Sequence, residues 1–105
     1  MKIIETSIFS KKINTLLTDE EYRKIQNELI INPEKGKIIR GSGGLRKIRS
    51  RISGRGKSGG VRIIYYRIIK RDTILMLLVY PKNEQGNLTP SQLKTLKSLV
   101  EKELQ

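Results

Sequence analysis

The sequence predicts an α+β domain: a small, mainly antiparallel four-stranded sheet, with two helices ahead of it in the chain and one behind. Three observations predict it. Two helix starts carry complete capping boxes, Thr18 with Glu21 and Thr89 with Gln92. Two runs of branched and aromatic residues, 61–69 and 73–80, are joined only by Lys70-Arg71-Asp72, short enough for a hairpin. The three strand-like segments from residue 45 onward follow one another with no helix between them, which favours antiparallel pairing.

Residues 2–8 are short and moderately apolar and fit a strand at a sheet edge. Ile13, Leu16 and Leu17 then mark a short helix. The next helix starts at Thr18, with Leu17 and Tyr22 placed as a hydrophobic staple, and Tyr22, Ile25 and Leu29 form its apolar stripe. Pro33 ends it, because proline disfavours helical geometry in the residue before it. Residues 35–44 read as a loop closing on Gly41-Ser42-Gly43-Gly44, and 45–52 as a strand unusually rich in Lys and Arg. Residues 53–60 are a glycine-rich turn or flexible loop. The run 74–80 shows no alternation, so its strand is expected to be central and covered on both faces. Thr89 caps the last helix, Pro90 takes its first position, and Leu93, Leu96, Val100 and Leu104 form its stripe. Residues 1–105 make a single domain with no repeat or linker.

Charge is distributed very unevenly along this frame. Residues 35–82 hold fourteen of the 22 Lys and Arg residues and one acid, Asp72, so they carry the whole positive excess of the net +12. Such a field attracts a polyanion by counterion release, and nucleic acid is the expected partner. There is no cysteine, which excludes disulfides and thiolate metal sites and makes a reducing, cytoplasmic setting the simplest expectation. There is no histidine, which removes the commonest general base and zinc ligand. The first residues lack a secretory signal pattern, and the seven-residue apolar run 74–80 is too short to span a bilayer.

Strand alternation puts Lys47 and Arg49 on one face with Leu45, and Arg46 on the other with Ile48. Arg62 stands at the start of an otherwise apolar strand, where it either faces an anion or snorkels to water from the rim. Lys82 and Asn83 follow the last strand, a common place for a site. Gly56-Lys57-Ser58 looks like part of a phosphate-binding loop, but that motif needs a glycine where Arg51 stands and a helix where a strand follows. A basic loop touching phosphate backbone through Arg55 and Lys57 is the better reading. Clustered acids for a metal-dependent nuclease are missing, so no metal or other cofactor is expected.

In order, Gly43-Gly44-Leu45-Arg46-Lys47-Ile48-Arg49, the stretch from Gly54 through Arg62 to Tyr66, and Tyr80-Pro81-Lys82-Asn83-Glu84 resemble the RelE/HigB-type toxins of bacterial toxin–antitoxin pairs. The likeness extends through Leu88-Thr89-Pro90 and the last helix. It implies a ribosome-dependent messenger RNA endoribonuclease (an mRNA interferase), monomeric alone and held inactive in an oligomeric complex by a cognate HigA- or RelB-like antitoxin. It also implies a microbial RNase-like sheet with helices packed on one face. By position, Lys47 and Arg49 correspond to the family's basic strand pair, Arg62 to its phosphate-contacting arginine, and Lys82 and Asn83 to its site segment. Many relatives carry Tyr or His near the end of that segment, where this chain has Asn83, Gly86 and Asn87.

The expected chemistry is attack of a 2′-hydroxyl on the adjacent phosphorus. Arg62 suits stabilisation of the extra phosphate charge. Without histidine, Lys47 is the expected proton acceptor, and Lys82 the acid or a second phosphate clamp. Arg46, Arg49, Arg51, Arg55, Lys57 and Asn83 are the expected RNA contacts. Two other readings stay open: a ParE-like toxin that inhibits gyrase, and a non-catalytic RNA- or ribosome-binding protein.

Overall fold

The computed structural model of the chain describes residues 1–51 and 60–105. The glycine-rich loop, with Arg55 and Lys57, lies outside the described residues. Strand β1 (Lys2–Glu5) leads into helices α1 (Ser7–Leu16) and α2 (Asp19–Ile31). Strands β2 (Lys37–Ile38), β3 (Arg46–Ser50), β4 (Val61–Ile68) and β5 (Thr73–Pro81) follow, and helix α3 (Pro90–Leu104) closes the chain. Among the described residues they form one five-stranded sheet in the order β1-β5-β4-β3-β2. β1 runs parallel to β5 and the other pairs are antiparallel.

The capping residues act as their chemistry dictates. Thr18 Oγ1 accepts the Glu21 N–H at 3.1 Å while Glu21 Oε1 accepts the Thr18 N–H at 2.8 Å. Thr89 and Gln92 make the same reciprocal pair at 3.1 and 3.0 Å. β1 stops short of the expected residue 8 because Thr6 caps α1, its Oγ1 accepting the Phe9 N–H and donating to Leu77 O. The fifth strand, β2, lies within the segment expected as loop; two residues carry no alternation to read.

β4 is almost wholly buried and β5 wholly so, which requires cover on both sides of the sheet. Phe9, Ile13, Leu16, Ile25 and Leu29 of α1 and α2 pack on Ile48, Val61, Ile63, Tyr65, Ile74, Met76 and Val79. Leu96 and Val100 of α3 pack on Leu45, Ile64, Ile68, Leu75, Leu77, Leu78 and Tyr80. The helices therefore do not share one face, as the resemblance implied; α3 covers the opposite one. Its stripe ends at Val100, since Leu104 is 45% exposed at the chain's end.

β5 also changes phase part-way along its length. Ile64 pairs with Leu78 but Tyr65 pairs with Met76, leaving Leu77 as an extra residue in a β-bulge. Leu77 and Leu78 both join the α3-side core, and the residues after them change face. Tyr80 thereby reaches the α3 side, in register with Arg62.

Candidate nucleic-acid interface

The strand register assembles a cationic site beside the start of α3. Arg49 of β3 pairs with Arg62 of β4, and Arg62 pairs with Tyr80 of β5, so the two guanidinium side chains oppose each other across adjacent strands. Lys47, two residues from Arg49, lies on the same sheet face by alternation. Its Nζ donates to Asn87 Oδ1 at 3.2 Å, linking β3 to the segment that joins β5 to α3. That segment is itself held in place. The Lys82 N–H donates to Gly60 O at 2.9 Å, extending the β4–β5 ladder beyond its last pair. Gln85 Nε2 donates to Gln92 Oε1 at 2.8 Å and to Asn87 O at 3.0 Å.

Arg62 is only 3% exposed, and its Nη1 approaches Val61 O at 3.4 Å. Burial holds its pKa below the ordinary arginine value, and the Arg49 charge pushes in the same direction, while Tyr80 acts against them. The environment thus disfavours the positive charge that arginine nonetheless retains. Tyr80 is buried as well: its hydroxyl makes no hydrogen bond among the described residues, and burial pushes its pKa up against the pull of Arg62. A negatively charged ligand at Arg49 and Arg62 would relieve both the burial penalty and the mutual repulsion.

The register puts Lys47, Arg49 and Arg62 on one sheet face, and Lys82 and Asn83 occupy the exposed turn that leaves β5 at the end where Arg62 stands. Arg46 does not join them. It points to the α1/α2 side, where its Nη1 donates to Glu34 O at 3.1 Å and Gly36 O at 2.7 Å, clamping the turn before β2. Arg51, exposed just past β3, borders a groove shared with Arg49 and with Glu21, Lys24 and Glu28 of α2, a mixed-charge rim. Two contributors lay outside the candidate set. Asn87 had no signal beyond its place in the segment, and Lys37, directly across from Lys47, depends on a strand too short to recognise.

The sequence model for the RelE toxin of the RelE/RelB toxin–antitoxin system matches residues 1–105. The chain belongs to the RelE toxin family. Solved structures agree with this RelE fold. A free double mutant of E. coli toxin RelE is similar at 18% identity and a TM-score of 0.64, over 92% of this chain and 93% of that one. The toxin in the intact E. coli RelBE toxin–antitoxin complex is similar at 23% identity and a TM-score of 0.60, over 76% of this chain and 94% of that one. An archaeal RelE–RelB complex from Pyrococcus horikoshii gives 19% and 0.56, over 80% and 97%. Among the described residues of this RelE-family toxin, no helix is long and apolar enough to cross a membrane.

Proposed function

We propose that this RelE-family toxin is a ribosome-dependent messenger RNA endoribonuclease that stops translation in the cytoplasm until a cognate antitoxin covers its basic site. The observation that carries this reading is the opposed Arg49–Arg62 pair, with Arg62 buried at the end of a rigid sheet. A sheet gains nothing from two like charges directly opposite each other. A phosphodiester that gains negative charge during cleavage is the ligand such a pair best stabilises.

In the proposed reaction the 2′-hydroxyl attacks the neighbouring phosphorus, and the bond to the leaving 5′-oxygen breaks. Arg62 and Arg49 stabilise the charge that develops on the phosphate oxygens, their planar forks matching phosphate geometry. Lys47, oriented by Asn87, is the group beside them to take the hydroxyl proton. Lys82, in the turn after β5, is the group to protonate the departing oxygen or clamp its phosphate. Proton transfer needs groups within hydrogen-bond reach of the reacting atoms, and the common face of Lys47, Arg49 and Arg62 supports that role for Lys47. The antitoxin reading is supported by the family and by the toxin–antitoxin complexes among the structural relatives.

Primer extension on messenger engaged by translating ribosomes tests the proposal. New ends at codon boundaries, absent with Arg62→Ala and suppressed by the adjacent gene's product, are the expected result. Arrested ribosomes with intact messenger would make the protein a binder, and gyrase-linked DNA breaks would make it a gyrase inhibitor; either outcome removes the nuclease reading.

A further inference from the structure

The cationic surface does not end at Lys47. Lys37 on β2 stands directly across from Lys47 on β3, so the sheet carries a second like-charge pair two residues along β3 from Arg49 and Arg62. Alternation puts both pairs on the same face. Two residues of strand span about 7 Å and neighbouring strands lie about 4.8 Å apart, so the two pair centres are about 8 Å apart, a step that long Lys and Arg side chains can match to successive phosphates of an extended single strand. A groove of about 440 Å³ lies along this edge, lined by Lys35, Lys37, Lys47, Ile48 and Arg49. The charge of Lys35 is already answered by Glu28, whose Oε2 accepts from its Nζ at 2.7 Å. β2 is also the last strand of the sheet, so a linear ligand leaving Arg62 crosses β3 and passes off the sheet over Lys37.

We propose that Lys37 binds the phosphate next to the scissile one, so that the protein holds messenger RNA as an extended single strand across two consecutive phosphates, with Lys47 between them. This deepens the nuclease reading and rests on it for which phosphate is cut. Lys37 is exposed and makes its cross-strand pair through the backbone, so a neutral replacement tests charge without disturbing the core. A groove that tracks backbone charge reads strand geometry and length rather than base identity.

The test uses the isolated protein and short oligoribonucleotides blocked against cleavage by 2′-O-methylation, carrying one, two or three phosphates. Wild type is expected to bind at least threefold more tightly when the second phosphate is added, and Lys37→Gln to lose that gain while holding the one-phosphate oligomer equally well. A neutral methylphosphonate at the flanking linkage should weaken wild type by the same factor and leave Lys37→Gln unaffected. Losing one phosphate contact should flatten the salt dependence of log affinity by about 0.7. Equal sensitivity of both proteins to the methylphosphonate overturns the proposal. So does a Lys37→Gln defect confined to ribosome capture, which would assign the residue to ribosomal RNA. No ribosome or cleavage enters the oligomer measurements. A protein that fails to cut messenger would therefore lose its nuclease role and keep this subsite, and the converse failure would leave the nuclease reading standing.

Discussion

Replacing Arg62 with Met separates what the charge costs the fold from what it supplies to the site. The side chain is 3% exposed, opposes Arg49 across the β3–β4 pair, and has its pKa lowered first by burial and then by Arg49. A lowered pKa on a cation means that the folded state disfavours the charged form relative to the unfolded chain. Arginine stays protonated in any working pH range, so that penalty is always present. Removing a directly opposed like charge alone is worth about 0.2–1 kcal/mol. Met has a similar length and no charge, so overpacking or a large cavity is not introduced. A domain of this size shifts its melting temperature by about 4–8 °C per kcal/mol, so relief of that repulsion should raise the melting temperature of Arg62→Met by about 1–8 °C, less what its lost hydrogen bonds cost. Its cleavage of ribosome-bound messenger should fall at least tenfold, about 1.4 kcal/mol in barrier. Circular dichroism melts read the first quantity and primer extension the second. A variant that melts lower than wild type and still cleaves would show that Arg62 is only a structural stem, and would refute the reasoning.

Tyr65→Phe should lower stability by about 1–3 kcal/mol in urea unfolding, because the fully buried hydroxyl donates to Pro33 O at 2.8 Å and accepts the Gly36 N–H at 2.9 Å. An unchanged midpoint would contradict that role. Gly36→Ala should cost about 1–3 kcal/mol by overpacking, since the new Cβ would lie 2.7 Å from Ile48 Cγ2 and 2.8 Å from the Tyr65 ring. A melt equal to wild type would show that the turn yields. Burial pushes the Tyr22, Tyr65 and Tyr80 hydroxyls above the ordinary tyrosine value of 10.0, with Glu5 adding to the effect at Tyr22. Above pH 10 the unfolded chain releases these protons while the folded protein keeps them, so stability should fall as pH rises, by up to about 1.4 kcal/mol per pH unit for each tyrosine. Urea midpoints between pH 9 and 11 check this, and the decline of Tyr65→Phe should be shallower than that of wild type; parallel slopes would exclude Tyr65.

What was legible in the sequence was whatever a few neighbouring residues decide. The boxes at Thr18 and Thr89 were readable because cap and partner lie three residues apart. The alternation that separates Arg46 from Lys47 was equally local, and the structure keeps them on opposite faces. The flat apolar run of β5 correctly indicated burial on both sides, but the Leu77 bulge behind it depends on pairing with β4. The opposition of Arg49 and Arg62 is likewise a matter of register, which no spacing along one strand reveals. β2, and with it Lys37, was missed because two residues cannot show a period. The side taken by α3 follows from the need to cover the second face of β4 and β5, a demand visible only once the strands are adjacent.

The same register explains how a sheet tolerates such a concentration of positive charge. Two opposed cation pairs on the β2–β3–β4 edge cost about 0.2–1 kcal/mol each, and burial of Arg62 adds to that. Against them, β3 and β4, with Leu45 just before β3, bury Leu45, Ile48, Val61, Ile63, Ile64 and Tyr65. Full burial of one large apolar side chain contributes about 1.5–3 kcal/mol. The apolar positions therefore dominate, and the repulsion persists in the folded protein instead of preventing it from forming. The Leu77 bulge sets where that repulsion falls. Without the extra residue, Tyr80 would turn toward α1 and α2 and would no longer share a face with Arg62. Thr6 ties the bulge down through the Leu77 carbonyl. The core thus fixes where Arg49 and Arg62 oppose each other, on the sheet face that α3 covers.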